Sequence, residues 1–234
     1  EFTVEAGRPD TITEEKLLVM KKYGVERISI NPQTMNQKTL DLIGRRHSVE
    51  DIKSVYKTAR KIGFKDINMD LILGLPNETV EDVENTMRQM EILSPDSMTV
   101  HTLAVKRASR LKEQFDSFDL AEAEIMEKMI NISSECARKM GLSPYYMYRQ
   151  KNMVGNFENV GYCRKGCEGI YNIEIMEERQ TILAVGAGST TKVYNSKKNL
   201  LTRAFNVKSV EEYISRFDEM LERKKTALET EKSL

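Results

Sequence analysis

Along the first hundred positions, apolar residues fall into two alternating textures. Short β-branched runs, Phe2 to Glu5, Arg27 to Ile30, Ile67 to Leu73 and Met98 to Leu103, are flanked by turn residues and predict strands. Between them apolar positions recur at helical spacing, and each stretch carries its own start and stop signals. Thr11, with Glu14 three places later, makes a capping box before Lys16 to Met20, and Gly24 closes that helix. Ser48 caps a helix that ends at Gly63, and Thr79 caps another that ends near Ser94 and Pro95. Strands separated by capped helices pair in parallel through right-handed crossovers. The pattern therefore predicts an α/β fold, a sheet or partial barrel of four βα-type strands over residues 1–118.

A longer helical stretch from Leu120 to Met140 follows and ends at Gly141. From Tyr145 to Asn206 the chain becomes tyrosine-rich and glycine-punctuated, with strand-like pieces at Gly169 to Ile175 and Thr181 to Val185. This texture predicts a smaller, partly antiparallel region beside the α/β unit. An amphipathic helix from Ser209 to Lys225 and a fraying polar tail close the chain. The expected division is thus 1–118 and 119–234, the second part a smaller α+β region of helices and short strands. The chain opens within two residues of a strand, and four βα strands are too few to close a barrel. The expectation is an open sheet, or strands that precede Glu1 in a longer protein.

Charge narrows the possible functions. Lys and Arg total 36, Asp and Glu total 36, and the net charge is zero. That excludes the broad positive field of a dedicated nucleic-acid binder, so no DNA partner is expected. With 31% charged and 40% hydrophobic residues the composition is that of a soluble globular protein. No apolar run approaches the roughly 20 residues that span a bilayer, and no secretion signal opens the chain. Three cysteines, Cys136, Cys163 and Cys167, are an odd and sparse set that points to a reducing, cytoplasmic setting.

In parallel α/β folds, ligands meet the carboxyl ends of the strands and the loops after them. Glu5 ends the first strand, Gln33 lies three residues past the second, and Asp70 interrupts the apolar third, so the three converge on one rim. A carboxylate in a buried strand needs a partner, and Arg45, in the loop after the second strand, is the candidate. The pair either braces the sheet from inside or binds a ligand. Gly74 to Thr79 joins a strand to a helix N-terminus and is an anion site or simply a tight turn. His101 and His47 are read as packed or solvated rather than catalytic. Cys163 and Cys167 have metal-like spacing but lack further ligands, so they are read as free thiols. Tyr145 to Lys151 and Tyr162 to Lys165 interleave rings and cations, a surface suited to a flat polyanionic ligand or to RNA, or an ordinary solvated face. Leu183 to Ser189 is a strand running into a Gly-x-Gly turn, too short for a dinucleotide fingerprint.

Three strings carry a resemblance: Glu5-Ala6-Gly7-Arg8-Pro9-Asp10, then Arg27 to Met35, then Asp70-Leu71-Ile72-Leu73-Gly74-Leu75-Pro76. In their order and spacing they resemble the radical S-adenosylmethionine enzymes of the oxygen-independent coproporphyrinogen III oxidase family. The Tyr145 to Tyr171 segment and the Gly186 turn resemble its HemZ-like branch, and the likeness covers nearly the whole chain. The resemblance implies a partial TIM barrel followed by a C-terminal extension, with two S-adenosylmethionine sites, one at a 4Fe-4S cluster. By motif position it assigns Glu5 to the first S-adenosylmethionine and Gln33, Arg45, Asp70 and Ala104 to the second. The implied substrate is the tetrapyrrole coproporphyrinogen III, two of whose four propionates are oxidatively decarboxylated to vinyl groups, giving protoporphyrinogen IX in haem biosynthesis. Arg149 and Arg164 are its expected contacts.

The family's Cys-x3-Cys-x2-Cys motif and the glycine-rich motif after its second strand are absent from these 234 residues. The cluster is therefore expected only in a longer parent enzyme, with no metal ligands here and no activity from this chain alone. Two rival readings remain: a haem or porphyrin carrier related to the family, and a radical enzyme acting on RNA, ranked last because of the zero net charge. An unpaired parallel edge is an association hazard, so a homodimer is also expected.

Overall fold

The computed structural model describes residues 1–103, 123–149 and 157–232. Its described chain divides into two compact units, Glu1–Gly169 and Ile170–Leu234. The boundary expected at 118/119 lies outside the described residues.

The first unit begins with β1 (Thr3–Gly7), α1 (Glu14–Lys22) and β2 (Arg27–Gln33). It continues with α2 (Gln37–Leu42), α3 (Val49–Ile62), β3 (Asp66–Leu73), α4 (Val80–Leu93) and β4 (Ser97–Thr102). After α5 (Ala123–Lys139) come β5 (Ser143–Tyr148) and β6 (Asn159–Cys163). The six strands form one sheet in the order β1-β2-β3-β4-β6-β5. The pairs β1·β2, β2·β3 and β3·β4 are parallel, and β6 and β5 run antiparallel at the far edge. The mostly parallel sheet with helical crossovers is the α/β partial barrel that the sequence predicts.

Two expectations need correction here. β5 and β6 are not part of a separate region; Tyr162 and Gly161 pair with Met98 and Thr99 and extend the first sheet. An isolated antiparallel hairpin would leave apolar surface exposed, and pairing with β4 buries it. Thr13, not Thr11, caps α1, its side chain accepting from the Lys16 amide, while Pro9–Thr11 forms a short 3-10 turn. The capping boxes of α3 and α4 form as expected, from Ser48 with Asp51 and from Thr79 with Asp82.

Side chains alternate between the two faces through the regular parts of β2, β3 and β4. Ile28, Ile30, Ile67, Met69, Leu71, Met98 and Val100 face one side and are buried in the core with Leu17 of α1, Ile52 and Tyr56 of α3, Met87 and Met90 of α4 and Met126 and Met129 of α5. Burying each such side chain contributes roughly 1.5–3 kcal/mol, so the helical layer fixes which face points outward. The opposite positions, Ser29, Asn31, Asn68, Asp70, Thr99 and His101, are polar, and the register sets Ser29 beside Asn68 and Asp70 beside Thr99. This face is the inside of the partial barrel.

The second unit holds α6 (Ile170–Glu177), the hairpin β7 (Thr190–Asn195) and β8 (Leu200–Phe205), α7 (Val210–Ser215) and α8 (Phe217–Lys232). Its own small core joins Val193, Ala204 and Ala227. The strand expected at Gly169 to Ile175 is instead the helix α6: β-branched residues form strands only where a neighbour offers a ladder. The strand expected at Thr181 to Val185 reduces to a single bridge between Ile182 and Lys192. The closing helix breaks at Arg216 into α7 and α8, the latter reaching Lys232. Among the described residues no helix is long and apolar enough to cross a membrane.

Candidate functional site

A hollow of about 290 Å³ opens where β2, β3 and β4 end, lined by Asn31, Gln33, Asp70, Ile72, His101, Thr102, Leu103, Tyr148 and Asn159. Backbone irregularity makes its wall. The β2·β3 register shifts between Ile30 and Gln33, and Gln33 takes a φ of 73°, a left-handed conformation that costs a non-glycine residue about 1–2 kcal/mol. The kink turns Gln33 inward while it stays buried, its amide 3.5 Å from the Asn31 carbonyl.

A buried polar knot braces the loop that follows. The Thr34 hydroxyl donates to Glu78 Oε1 at 2.6 Å, and Asn36 Nδ2 reaches Glu78 Oε1, Thr86 Oγ1 and the Asp82 carbonyl at 3.2, 3.2 and 2.8 Å. Glu78 comes from the Gly74 to Thr79 turn, so that turn ties the β2 loop to α4. Desolvation raises its carboxyl above the ordinary range, with the Thr34 and Asn36 hydrogen bonds opposing.

Polar side chains on the inner face form a continuous ladder. Asn68 Nδ2 donates to Asp70 Oδ1 at 2.7 Å and to Ser29 Oγ at 2.9 Å; Thr99 Oγ1 donates to Asn68 Oδ1 at 3.3 Å; the Ser29 hydroxyl reaches Asn31 Oδ1 at 3.2 Å. Tyr148 and His101 join at 3.1 Å through the phenol oxygen and Nδ1, and His101 Nε2 lies 4.0 Å from Asp70 Oδ1. The Tyr146 and Tyr148 rings stack with centroids 6.1 Å apart. A Cβ at Gly161 would come within 1.9 Å of the Tyr146 ring, so only glycine lets Tyr146 lie across β6. The Thr102 amide donates to the buried Asn159 at 2.7 Å and fixes the end of β4.

Two carboxylates and an imidazole set the electrostatics of the described inner face. Desolvation pushes the Asp70 carboxyl up, opposed by Asn68, Thr99 and Arg27. Glu5 is exposed on the edge strand β1, yet its carboxyl is also raised, first by desolvation and then by the Asp70 charge, against Ser29, Arg27 and His101. Desolvation lowers His101, with Glu5 opposing. These mutual influences put Glu5, Asp70 and His101 in one neighbourhood.

The other sequence candidates distribute differently. Arg45 does not pair with Asp70. It is half-buried beside Arg8 and Asp10, and desolvation followed by the Arg8 charge lowers its guanidinium. Its loop is held near the end of β2 by His47, 3.4 Å from the Pro32 carbonyl. The sheet's internal Arg–Asp pair is Arg27 with Asp66, 2.8 Å apart at the opposite end, where Arg27 also reaches the Cys167 carbonyl at 2.9 Å. Arg164 lies at that end too, donating to the Met140 carbonyl and to Ser94 Oγ at 3.0 and 2.7 Å, so it is not brought to the hollow. Arg149 follows Tyr148 at the hollow's end of β5 and pairs with Glu158 at 3.1 Å. Ala104 lies outside the described residues. The Gly186 turn belongs to the second unit, where the Gly186 amide donates to the Tyr213 hydroxyl at 3.2 Å.

Ser29, Asn31, Asn68, Thr99 and Asn159 complete the site, with Tyr148 from the ring-and-cation segment. For Ser29, Asn31, Asn68 and Thr99 the signal is the polar–apolar alternation of Arg27 to Asn31, Asn68 to Leu71 and Ser97 to His101, which predicts a polar inner face as well as a core face.

The three cysteines do not fit an iron–sulfur cluster. Cys136 faces the Met87 carbonyl on α4, while Cys163 and Cys167 lie beside Glu168, Arg27 and Asp66. Desolvation pushes the Cys136 and Cys163 thiols up to about 12. Among the described residues no set of three His, Cys, Asp or Glu side chains is grouped to hold a metal.

Comparison with known proteins covers nearly the whole chain. Residues 1–90 match the Radical SAM superfamily. The oxygen-independent coproporphyrinogen-III oxidase-like protein HemZ of Bacillus subtilis is 46% identical over 229 residues, 98% of this chain and 46% of that protein. The haem chaperone HemW of the same organism is 38% identical over 106 residues, 45% of this chain and 28% of its own. The solved coproporphyrinogen III oxidase HemN of Escherichia coli, a radical SAM enzyme, superposes with a TM-score of 0.71 at 20% identity, over 94% of this chain and 49% of that one. The chain thus spans about half the length of the HemZ and HemN proteins it matches. Residues 1–90, which hold β1, β2 and β3, thus carry a radical SAM domain, and nearly the whole chain is similar to the oxygen-independent coproporphyrinogen-III oxidase-like protein HemZ.

Proposed function

We propose that this chain forms one wall of an S-adenosylmethionine-binding barrel in a protein that acts on a coproporphyrinogen-type tetrapyrrole, oxidatively decarboxylating two propionates to vinyl groups. The observation that carries this reading is the hollow at the carboxyl ends of the strands, walled by amides, a carboxylate and an imidazole, with no lysine or arginine among its described lining residues. Such a donor set suits a cationic, hydroxylated molecule: carboxylate and amide oxygens accept from an ammonium group and a diol, and the Gln33, Asn31 and Asn159 amides complement its remaining polar atoms. It does not suit a polycarboxylate, so the propionates belong outside the hollow. Arg149 is our proposed contact for them, since its exposed pair with Glu158 is weak enough to exchange. Arg164 is withdrawn from that role because its donors are taken at the far end of the sheet.

Asp70 and Gln33 are assigned to the S-adenosylmethionine in the hollow, Glu5 to the neighbouring rim, and Arg45 to the loop above it. An iron–sulfur cluster, when bound, would supply the electron for the reductive cleavage of S-adenosylmethionine that yields the hydrogen-abstracting radical. The cysteines described here do not fit one, and no step of this reading is assigned to them.

The test is calorimetric titration of the chain with S-adenosylmethionine. Binding is expected, and Asp70→Asn should weaken it about tenfold, the loss of one charged hydrogen-bond partner. Undiminished binding by Asp70→Asn would remove the hollow from this role. The second reading, haem carriage, is favoured by the HemW likeness over 45% of the chain. Absorbance titrations with haem and with coproporphyrin separate the two, since a carrier binds haem in preference to coproporphyrin.

A further inference from the structure

We propose that the hairpin of β5 and β6 positions His101 as a ligand contact: Tyr148 reaches across β6 to hold the imidazole Nδ1, and Nε2 is thereby presented to whatever occupies the hollow. The inference rests on the hollow being a ligand site and deepens that reading, because neither His101 nor Tyr148 is among the residues assigned to S-adenosylmethionine.

Strand order shows why the contact needs a long side chain. β5 is the edge strand, and β6 separates it from β4. A side chain of β5 meets β4 only by lying flat across β6, and two tyrosines do so. Tyr146 faces Gly161 of β6, which in turn faces Thr99 of β4, and the Tyr146 hydroxyl is hydrogen-bonded to Thr99. Two residues on, and so on the same face, Tyr148 is opposite Asn159, and its hydroxyl lies 3.1 Å from His101 Nδ1. The absent Cβ of Gly161 makes room for the first ring, and the second stacks on it with an interplanar angle of 5°. The hydrogen bond at Nδ1, with the Tyr148 ring edge-on to the imidazole at 75°, restricts His101 to one orientation.

In that orientation Nε2 is the open atom. Asp70 Oδ1 stands 4.0 Å from it, too far for a hydrogen bond, and among the described residues Nε2 has no hydrogen-bond partner. His101, Tyr148 and Asn159 all line the hollow, and the His101 side chain keeps 26% exposure, so a ligand can reach it. A neutral imidazole has one donor and one acceptor nitrogen, and a hydroxyl can meet either. The group that Nε2 contacts is therefore a hydroxyl of the ligand, and the inference holds for both tautomers.

Diethyl pyrocarbonate, which acylates an open neutral imidazole nitrogen, tests the positioning without a ligand. The chain has 2 histidines and the His47 side chain is 0% exposed, so mass mapping should find His101 modified well ahead of His47. Tyr148→Phe keeps the stacked ring and removes only the hydroxyl. It should speed modification of His101 severalfold, because Nδ1 is freed. His101 protected as fully as His47, or a rate that Tyr148→Phe leaves unchanged, would overturn the positioning. Calorimetric titration with S-adenosylmethionine then tests the contact. His101→Gln, whose amide stands near the place of Nε2, should bind within about threefold of the unaltered chain, whereas His101→Asn, whose amide stands near that of Nδ1, should lose about tenfold. Tyr148→Phe should weaken binding about threefold alone and not at all beside His101→Asn. Equal losses for the two His101 variants, or a Tyr148→Phe loss that persists beside His101→Asn, would overturn the contact. No binding by the unaltered chain would reject the functional reading, while the modification rates alone decide whether Tyr148 presents Nε2.

Discussion

Asp70 shows what a functional carboxylate costs a fold. Its folded-state value lies above that of the unfolded chain, so the folded protein holds this proton more tightly. Ionising it therefore penalises the folded state at neutral pH, and the penalty fades as pH falls through the raised value. Asp70→Asn is expected to stabilise the protein by about 1 kcal/mol at pH 7–8, with the gain shrinking on acidification, as thermal melts across pH would record. Gln33 stores a different strain. Gln33→Gly should relieve about 1 kcal/mol of left-handed backbone cost while removing an amide from the hollow, so melting temperature rises and ligand affinity drops together. Asp70 was visible in the sequence as a charge inside an apolar strand. Its partner was not, because Arg45 was inferred from order along the chain, whereas Asn68, Thr99 and His101 reach Asp70 only through strand register and spacing.

Strands and helices carry their own predictions. Gly161 on β6 exists for Tyr146 on β5. Gly161→Ala should destabilise by about 1–3 kcal/mol through overpacking, and Tyr146→Ala in the same chain should recover part of that loss, a coupling that a double-mutant cycle measures. In α3 the Ser48 amide and hydroxyl hold the Asp51 carboxyl below its ordinary value, so the box stabilises above the unfolded value and is lost as pH falls through the lower, folded one. Ser48→Ala should cost about 1 kcal/mol of unfolding free energy. The helices were legible because caps and glycine stops are local signals. The placement of β5 and β6 was not, since an antiparallel pairing with β4 depends on contacts more than forty residues apart in the chain.

At the scale of the whole chain, stability is unevenly spread. The first unit buries a continuous layer of isoleucine, methionine and leucine against its helices α1 to α5, whereas the buried core of the second joins Val193, Ala204 and Ala227. Small units with little buried surface open at low free energy. Hydrogen exchange should therefore be faster in the β7–β8 hairpin than in β2 and β3, and equal protection in both would contradict this ranking. The alternating α/β order was legible because it repeats with short period, while the second unit lacks both repetition and a strong apolar stripe.

The inner wall of Ser29, Asn31, Asn68, Thr99 and Asp70 also bears on the thermodynamics of occupancy. Withdrawing hydrocarbon from water leaves a large negative heat-capacity change, and covering hydrogen-bonding groups contributes in the opposite sense. A guest seated against this wall should bind with a heat capacity close to zero, so its enthalpy of association should stay nearly flat as temperature is varied.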